Sequence, residues 1–241
     1  MTLTANKLHL LLPLCIISLS GCVDSSGPDL VRSYEKMAPT IVWVSPYEKP
    51  QPSLNEILYS IKHKKKLKPR RFKALYRGGS AITLRKDGVF LTAAHVVRRS
   101  SLVRVETMDG HIYQAAVLAR NVDLDLALLK LVSKPRERFS PVKIGKQRPL
   151  GTHVYAIGLP ASMRWVMTTG ILSCFDEGQY ISDTLADYGS SGGGLFAADD
   201  DSLVGVVVQI YKTYSASVTT NNIIDFLDIS LPLTKGKSHA I

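Results

Sequence analysis

The chain has 241 residues, 45% of them apolar, and 30 basic against 20 acidic side chains give it a formal net charge of +10. That length and apolar content fit one packed domain and leave no room for a second. Its three cysteines are Cys15, Cys22 and Cys174; two sit in or at the end of an amino-terminal leader, so an internal disulfide scaffold is excluded.

Lys7 precedes an apolar stretch over residues 8–19 that is too short to span a bilayer comfortably. A basic residue followed by such a core reads as a secretory signal over residues 1–21. It ends in Leu19-Ser20-Gly21-Cys22, which looks like the lipobox of bacterial lipoproteins. The resemblance implies signal removal and a palmitate-bearing Cys22, hence a periplasm-facing lipoprotein of the bacterial cell envelope. An ordinary signal peptide with an incidental cysteine is the competing reading. Several acyl chains would anchor firmly, whereas one binds only marginally. Residues 22–29 then form a tether ahead of a domain at 30–230, with a tail at 231–241.

Short β-branched or alternating runs follow at residues 40–45, 79–84, 88–91, 102–107, 112–118 and 125–131. Lys86-Asp87-Gly88 and Met108-Asp109-Gly110 supply turn signals between them. Residues 132–151, rich in Pro, Lys and Arg, read as a linker. Further strands are expected at 153–157, 166–175, 179–182, 194–197, 203–210 and 215–218. Asn221 or Asn222 is placed to cap a helix running through Leu227. Cys174 lies in an apolar strand context and is expected to be a small core residue. Short strands at regular spacing predict an all-β fold.

Eight of the twelve residues at 62–73 are Lys or Arg, which accounts for most of the excess charge. One reading is a solvated loop. Another is attraction to anionic lipid headgroups beside the anchor, at about 1 kcal/mol per basic residue near a charged surface. No aromatic stacking platform accompanies the run, so no nucleic acid is expected.

The segment Gly189-Ser190-Ser191-Gly192-Gly193-Gly194 puts a serine in a glycine-flanked turn ahead of an apolar run. A serine hydroxyl becomes nucleophilic only beside a base, with N–H groups aimed at the developing oxyanion. Upstream, a strand leads through Leu91-Thr92-Ala93-Ala94 into His95, and Asp125 directly precedes a second apolar strand. The order His, Asp, Ser is that of the chymotrypsin template. His95 is assigned as base and acid, Asp125 as its orienting group, Ser191 as nucleophile, and the Gly189, Ser190 and Ser191 segment as oxyanion hole. Asp123 competes for the acid's place, and Asp125 is preferred because it abuts the buried strand. Ser190 competes with Ser191, but only Ser191 keeps the full glycine register. No His/Cys cluster has metal-ligand spacing, so neither metal nor cofactor is expected.

With these motifs the chain resembles the trypsin-like serine peptidases, specifically their Deg/HtrA branch. Tyr34-Glu35-Lys36-Met37-Ala38-Pro39-Thr40-Ile41-Val42, Gly78-Gly79-Ser80-Ala81-Ile82, Ala156-Ile157-Gly158-Leu159-Pro160, Thr169-Gly170-Ile171-Leu172-Ser173 and Ile181-Ser182-Asp183-Thr184 extend the likeness over residues 30–227. It implies two six-stranded antiparallel β-barrels of the chymotrypsin kind, at about 40–131 and 152–218, with a short C-terminal helix. It also implies hydrolysis of protein or peptide substrates. Gly194 stands where the family usually has proline, and residues 46–77 match nothing in it. No PDZ domain is expected after Leu227. Ser190 replaces the aspartate that pairs with a new amino terminus in trypsin-type zymogens, so cleavage-triggered activation is not expected. Leu185, Ala186, Val206, Val207 and Val208 are expected to line the primary pocket and to favour aliphatic residues, while Asp183 and Asp187 would favour Lys or Arg. The histidine that glutamyl endopeptidases use there has no counterpart between His153 and His239. Two alternatives remain at this stage: a non-catalytic, lipid-anchored binding protein using its basic 62–73 loop, and an esterase using the same triad.

Overall fold

At Lys86, Asp87 and Gly88 the chain reverses between two buried strands, with Gly88 at φ +81°. An L side chain rarely takes that conformation, which makes glycine the natural residue there. Repetition of such hairpins builds the molecule. In the computed structural model, the structure describes residues 27–48, 73–74, 78–160 and 163–235. The signal segment, Cys22 and nearly all of the basic 62–73 run lie outside the described residues.

Strands β1 (Ile41–Glu48), β3 (Gly79–Arg85), β4 (Val89–Ala93), β5 (Leu102–Glu106), β6 (Ile112–Asn121) and β7 (Leu126–Leu131) form the first barrel. Their order is β1-β3-β4-β7-β6-β5, and β5 pairs back with β1 to close it; the short β2 (Lys73–Ala74) pairs antiparallel with the end of β1. The second barrel contains β8 (His153–Gly158), β9 (Val166–Asp176), β10 (Gln179–Ser182), β11 (Gly194–Ala197), β12 (Leu203–Ile210) and β13 (Ser215–Thr219). It closes in the order β10-β13-β12-β11-β8-β9. Every pairing between these strands is antiparallel. The expected all-β, two-barrel architecture is therefore the one observed, and closure leaves no long edge strand exposed.

One buried apolar cluster runs from Val42, Phe90 and Leu128 of the first barrel to Tyr155, Phe196 and Val206 of the second. A smaller one, with Leu172, Tyr180, Leu195 and Val207, fills the second barrel. Helix α3 (Thr220–Ser230) packs on β6 and β7 of the first barrel and on β12 and β13 of the second. It follows Thr219, which makes no side-chain cap bond. The two asparagines lie inside its first turn and reach outward instead, Asn221 to Gln147 and Asn222 to the Gly178 carbonyl.

Two further departures have local causes. Helix α1 (Leu30–Met37) precedes the first strand where only a tether and strand were expected. The Asp29 carboxylate accepts from Arg32 N at 3.1 Å, capping a helix whose Ser33 and Met37 are buried. Cys174 is exposed rather than part of the core. The β9–β10 register shifts between Ile181 and Ser182, and Ser173, Cys174 and Phe175 all lie exposed toward the end of the long β9 strand.

Candidate active site

Strand pairing brings the histidine and the acid together. Ala93 at the end of β4 pairs with Leu126 at the start of β7, so the residues just beyond those ends, His95 and Asp125, become neighbours. His95 sits in the single-turn helix α2 (Ala94–Val97). The Ala94 N–H donates to the Asp125 carbonyl at 2.9 Å. One Asp125 carboxylate oxygen accepts from the His95 backbone N–H at 2.8 Å, and the other lies 2.6 Å from its Nδ1. A carboxylate only accepts, so this contact places the proton on Nδ1 and leaves Nε2 as the ring's free acceptor. Asp125 holds φ +53°, a backbone state that Asp tolerates better than most residues. Asp123, the competing acid, is exposed.

The serine segment consists of two consecutive tight turns. Ser190 N–H donates to the Asp187 carbonyl at 2.8 Å, and Gly193 N–H donates to the Ser190 carbonyl at 2.8 Å. The third residue of each turn is a glycine with positive φ, Gly189 at +103° and Gly192 at +84°, as turns of this class require. A Cβ on Gly192 would overlap the Ser80 carbonyl and Thr92 Oγ1. The Gly192 N–H donates to the Val207 carbonyl at 2.7 Å, and Tyr188 N–H donates to the Asp187 carboxylate at 2.7 Å. Among the described residues, the N–H groups of Gly189 and Ser191 are the two in residues 187–193 with no protein acceptor. Ser190, the third residue expected at this position, has its N–H committed within its turn.

Both barrels wall an open cleft of about 850 Å³. The first contributes Trp43, Gly78, His95, Val96 and Arg98; the second contributes Asp187, Tyr188, Gly189, Ser191, Val208, Gln209 and Ile210. The His95 side chain is 51% exposed there and that of Asp125 27%. The Ser191 turn is tied to the first barrel by the Ser80 N–H, which donates to the Ser191 carbonyl at 2.8 Å.

The expected pocket residues fare differently. Val208 lines the cleft, but Val206 and Val207 are both buried in the barrel cores. Consecutive strand residues point to opposite faces, and the β12–β13 register slips between Val207 and Gln209, so the three valines do not share one wall. Ala186 packs on the second core, and Leu185 is 62% exposed outside the cleft. The Asp183 carboxylate accepts from Ile171 N at 2.7 Å and so braces β9. Tyr188, 84% exposed at the cleft, was legible in principle because it immediately precedes Gly189. Among the described residues no group of His, Cys, Asp or Glu is gathered for a metal, and no helix is long and apolar enough to cross a membrane.

The sequence profile of the trypsin-like peptidase domain matches residues 79–206, more than half of the chain. The chain belongs to the trypsin-like peptidase family. Among curated proteins this trypsin-like peptidase is similar to serine protease HTRA1 of Xenopus tropicalis, 31% identical over 164 residues, covering 62% of this chain and 35% of that protein. It is also similar to serine protease HTRA4 of Homo sapiens, 28% identical over 241 residues, covering 89% of this chain and 46% of that protein. The chain thus spans less than half the length of these relatives. The serine endoprotease from Yersinia pestis has the same fold, with a TM-score of 0.64 at 21% identity over 84% of this chain and 66% of that one.

Proposed function

We propose that this trypsin-like peptidase is a serine endopeptidase in which Ser191 attacks the scissile carbonyl, His95 moves the proton and Asp125 orients His95. The observation that carries the reading is the double Asp125–His95 hydrogen bond beside a cleft that also contains Ser191. With Nδ1 held by the carboxylate, Nε2 takes the Ser191 proton and later returns it to the leaving amine. The tetrahedral oxyanion accepts from the Gly189 and Ser191 N–H groups, which have no other acceptor among the described residues. Val208 and Ile210 on the cleft wall support a preference for aliphatic side chains before the scissile bond.

The sequence signals add an anchor to this reading. The Leu19-Ser20-Gly21-Cys22 motif supports lipidation of Cys22 and attachment to the bacterial envelope, facing the periplasm. The basic run at 62–73 supports contact with anionic lipid headgroups next to that anchor. The substrates are then exposed segments of envelope proteins or peptides.

Replacing Ser191 by Ala tests the catalytic assignment. Casein cleavage should fall by about 10⁴-fold or more, with the thermal unfolding midpoint nearly unchanged. Cleavage that persists in the Ser191→Ala protein contradicts the assignment.

A further inference from the structure

Ser80 is buried at the junction of the barrels, and its hydroxyl both donates and accepts there. It donates to the Gly189 carbonyl at 2.8 Å and accepts from the Leu159 N–H at 2.8 Å. Its own N–H donates to the Ser191 carbonyl at 2.8 Å, and its carbonyl accepts from Thr92 Oγ1 at 2.6 Å. One first-barrel residue therefore grips the serine segment at two carbonyls. Among the described residues, no other side chain from outside residues 187–191 hydrogen-bonds to the backbone of that segment.

The peptide between Gly189 and Ser190 lies between the two N–H groups assigned to the oxyanion. Its N–H is bound by the Asp187 carbonyl and its carbonyl by Ser80 Oγ. Gly189 has no Cβ to resist rotation of this peptide. A rotation would alter the aim of the neighbouring N–H groups and could turn a carbonyl dipole toward developing negative charge. Ser190 cannot supply the missing restraint, because its hydroxyl turns back to accept from Asp187 N at 3.2 Å within the same loop.

We propose that Ser80 is a positioning residue that keeps the oxyanion hole formed without any activating cleavage, by fixing the Gly189–Ser190 peptide from the opposite barrel. The inference rests on the peptidase reading above. It assigns Ser80 no contact with substrate and no part in proton transfer.

The test uses the full chain, with a fluorogenic peptide carrying valine before the scissile bond and a matched pair of peptide aldehyde and peptide alcohol inhibitors. The aldehyde forms a hemiacetal with the nucleophile, whose oxygen needs the hole, whereas the alcohol does not. Ser80→Ala should lower kcat about 10- to 100-fold, leave KM within about twofold, and reduce the aldehyde-to-alcohol affinity ratio by a similar factor as kcat. Ser80→Cys, which fills nearly the same space with a weaker donor, should fall between alanine and wild type on both readouts. An unchanged kcat and affinity ratio in folded Ser80→Ala overturns the inference. If the alanine protein lacks a native near-ultraviolet dichroism spectrum, Ser80→Cys decides: wild-type kcat overturns the proposal, and a reduced kcat at constant KM supports it. A wild-type chain inert toward both peptide and fluorophosphonate contradicts the peptidase reading itself, which keeps the two failures distinguishable.

Discussion

Asp125 fixes both the backbone and the ring of His95, because its two carboxylate oxygens are spent on different atoms of one residue. An asparagine there keeps one oxygen for the His95 backbone N–H but turns its NH₂ to Nδ1. Nδ1 then becomes the acceptor and the ring proton sits on Nε2, where the ring no longer accepts from Ser191. Asn also tolerates the left-handed backbone that Asp125 adopts. Asp125→Asn should therefore remain folded while kcat drops by about 10⁴-fold, as in the corresponding substitution of the chymotrypsin template. Kinetics on the fluorogenic peptide, with thermal unfolding alongside, check both halves. A kcat within tenfold of wild type contradicts the role given to Asp125. At this scale the glycine positions were readable in advance, since Gly189 and Gly192 occupy turn positions with positive φ. Ser80 was not, because its partner Gly189 is 109 residues away and no local pattern signals so distant a hydrogen bond.

Helix α1 shows how an element can be held by charge. Lys36 Nζ lies 2.8 Å from the Asp201 carboxylate, whose other oxygen accepts from the Tyr155 hydroxyl at 2.7 Å. Burial raises the Asp201 carboxyl pKa, but hydrogen bonds from Lys36, Ser33 and Tyr155 outweigh it and hold it below the usual value. Burial, then the Asp201 acceptor, pushes the Tyr155 phenol far above its ordinary range. Since the folded Asp201 value lies below the unfolded one, its contribution is complete above about pH 4 and is lost as pH falls through the folded value. In urea unfolding, wild type should lose more stability between pH 7 and pH 3 than Asp201→Asn does. Equal losses would mean that the carboxylate does not help to hold α1. The helix was hidden in the sequence because its burial is confined to Ser33 and Met37, too sparse an apolar stripe to announce itself. Most β-strands were legible because alternation and turn residues are local signals, whereas the slip in β12 depends on its pairing with β13.

At the scale of the whole molecule, the proposed catalysis depends on two barrels held in fixed apposition. The shared apolar cluster and α3 bridge them. Trp165 Nε1 donates to the Ile41 carbonyl at 2.9 Å, and Arg164 pairs with Glu106 across the same junction. The two-barrel plan could be inferred from the number and spacing of strands together with the family likeness. The wall of the cleft could not, because Trp43, Arg98, Tyr188 and Ile210 converge on it only once both barrels are closed and docked. The most direct measurement is peptide mapping by mass spectrometry after reaction with a fluorophosphonate. One adduct on Ser191 is expected, reduced to background in His95→Ala; an adduct on Ser190, or none on a natively folded chain, would contradict the account.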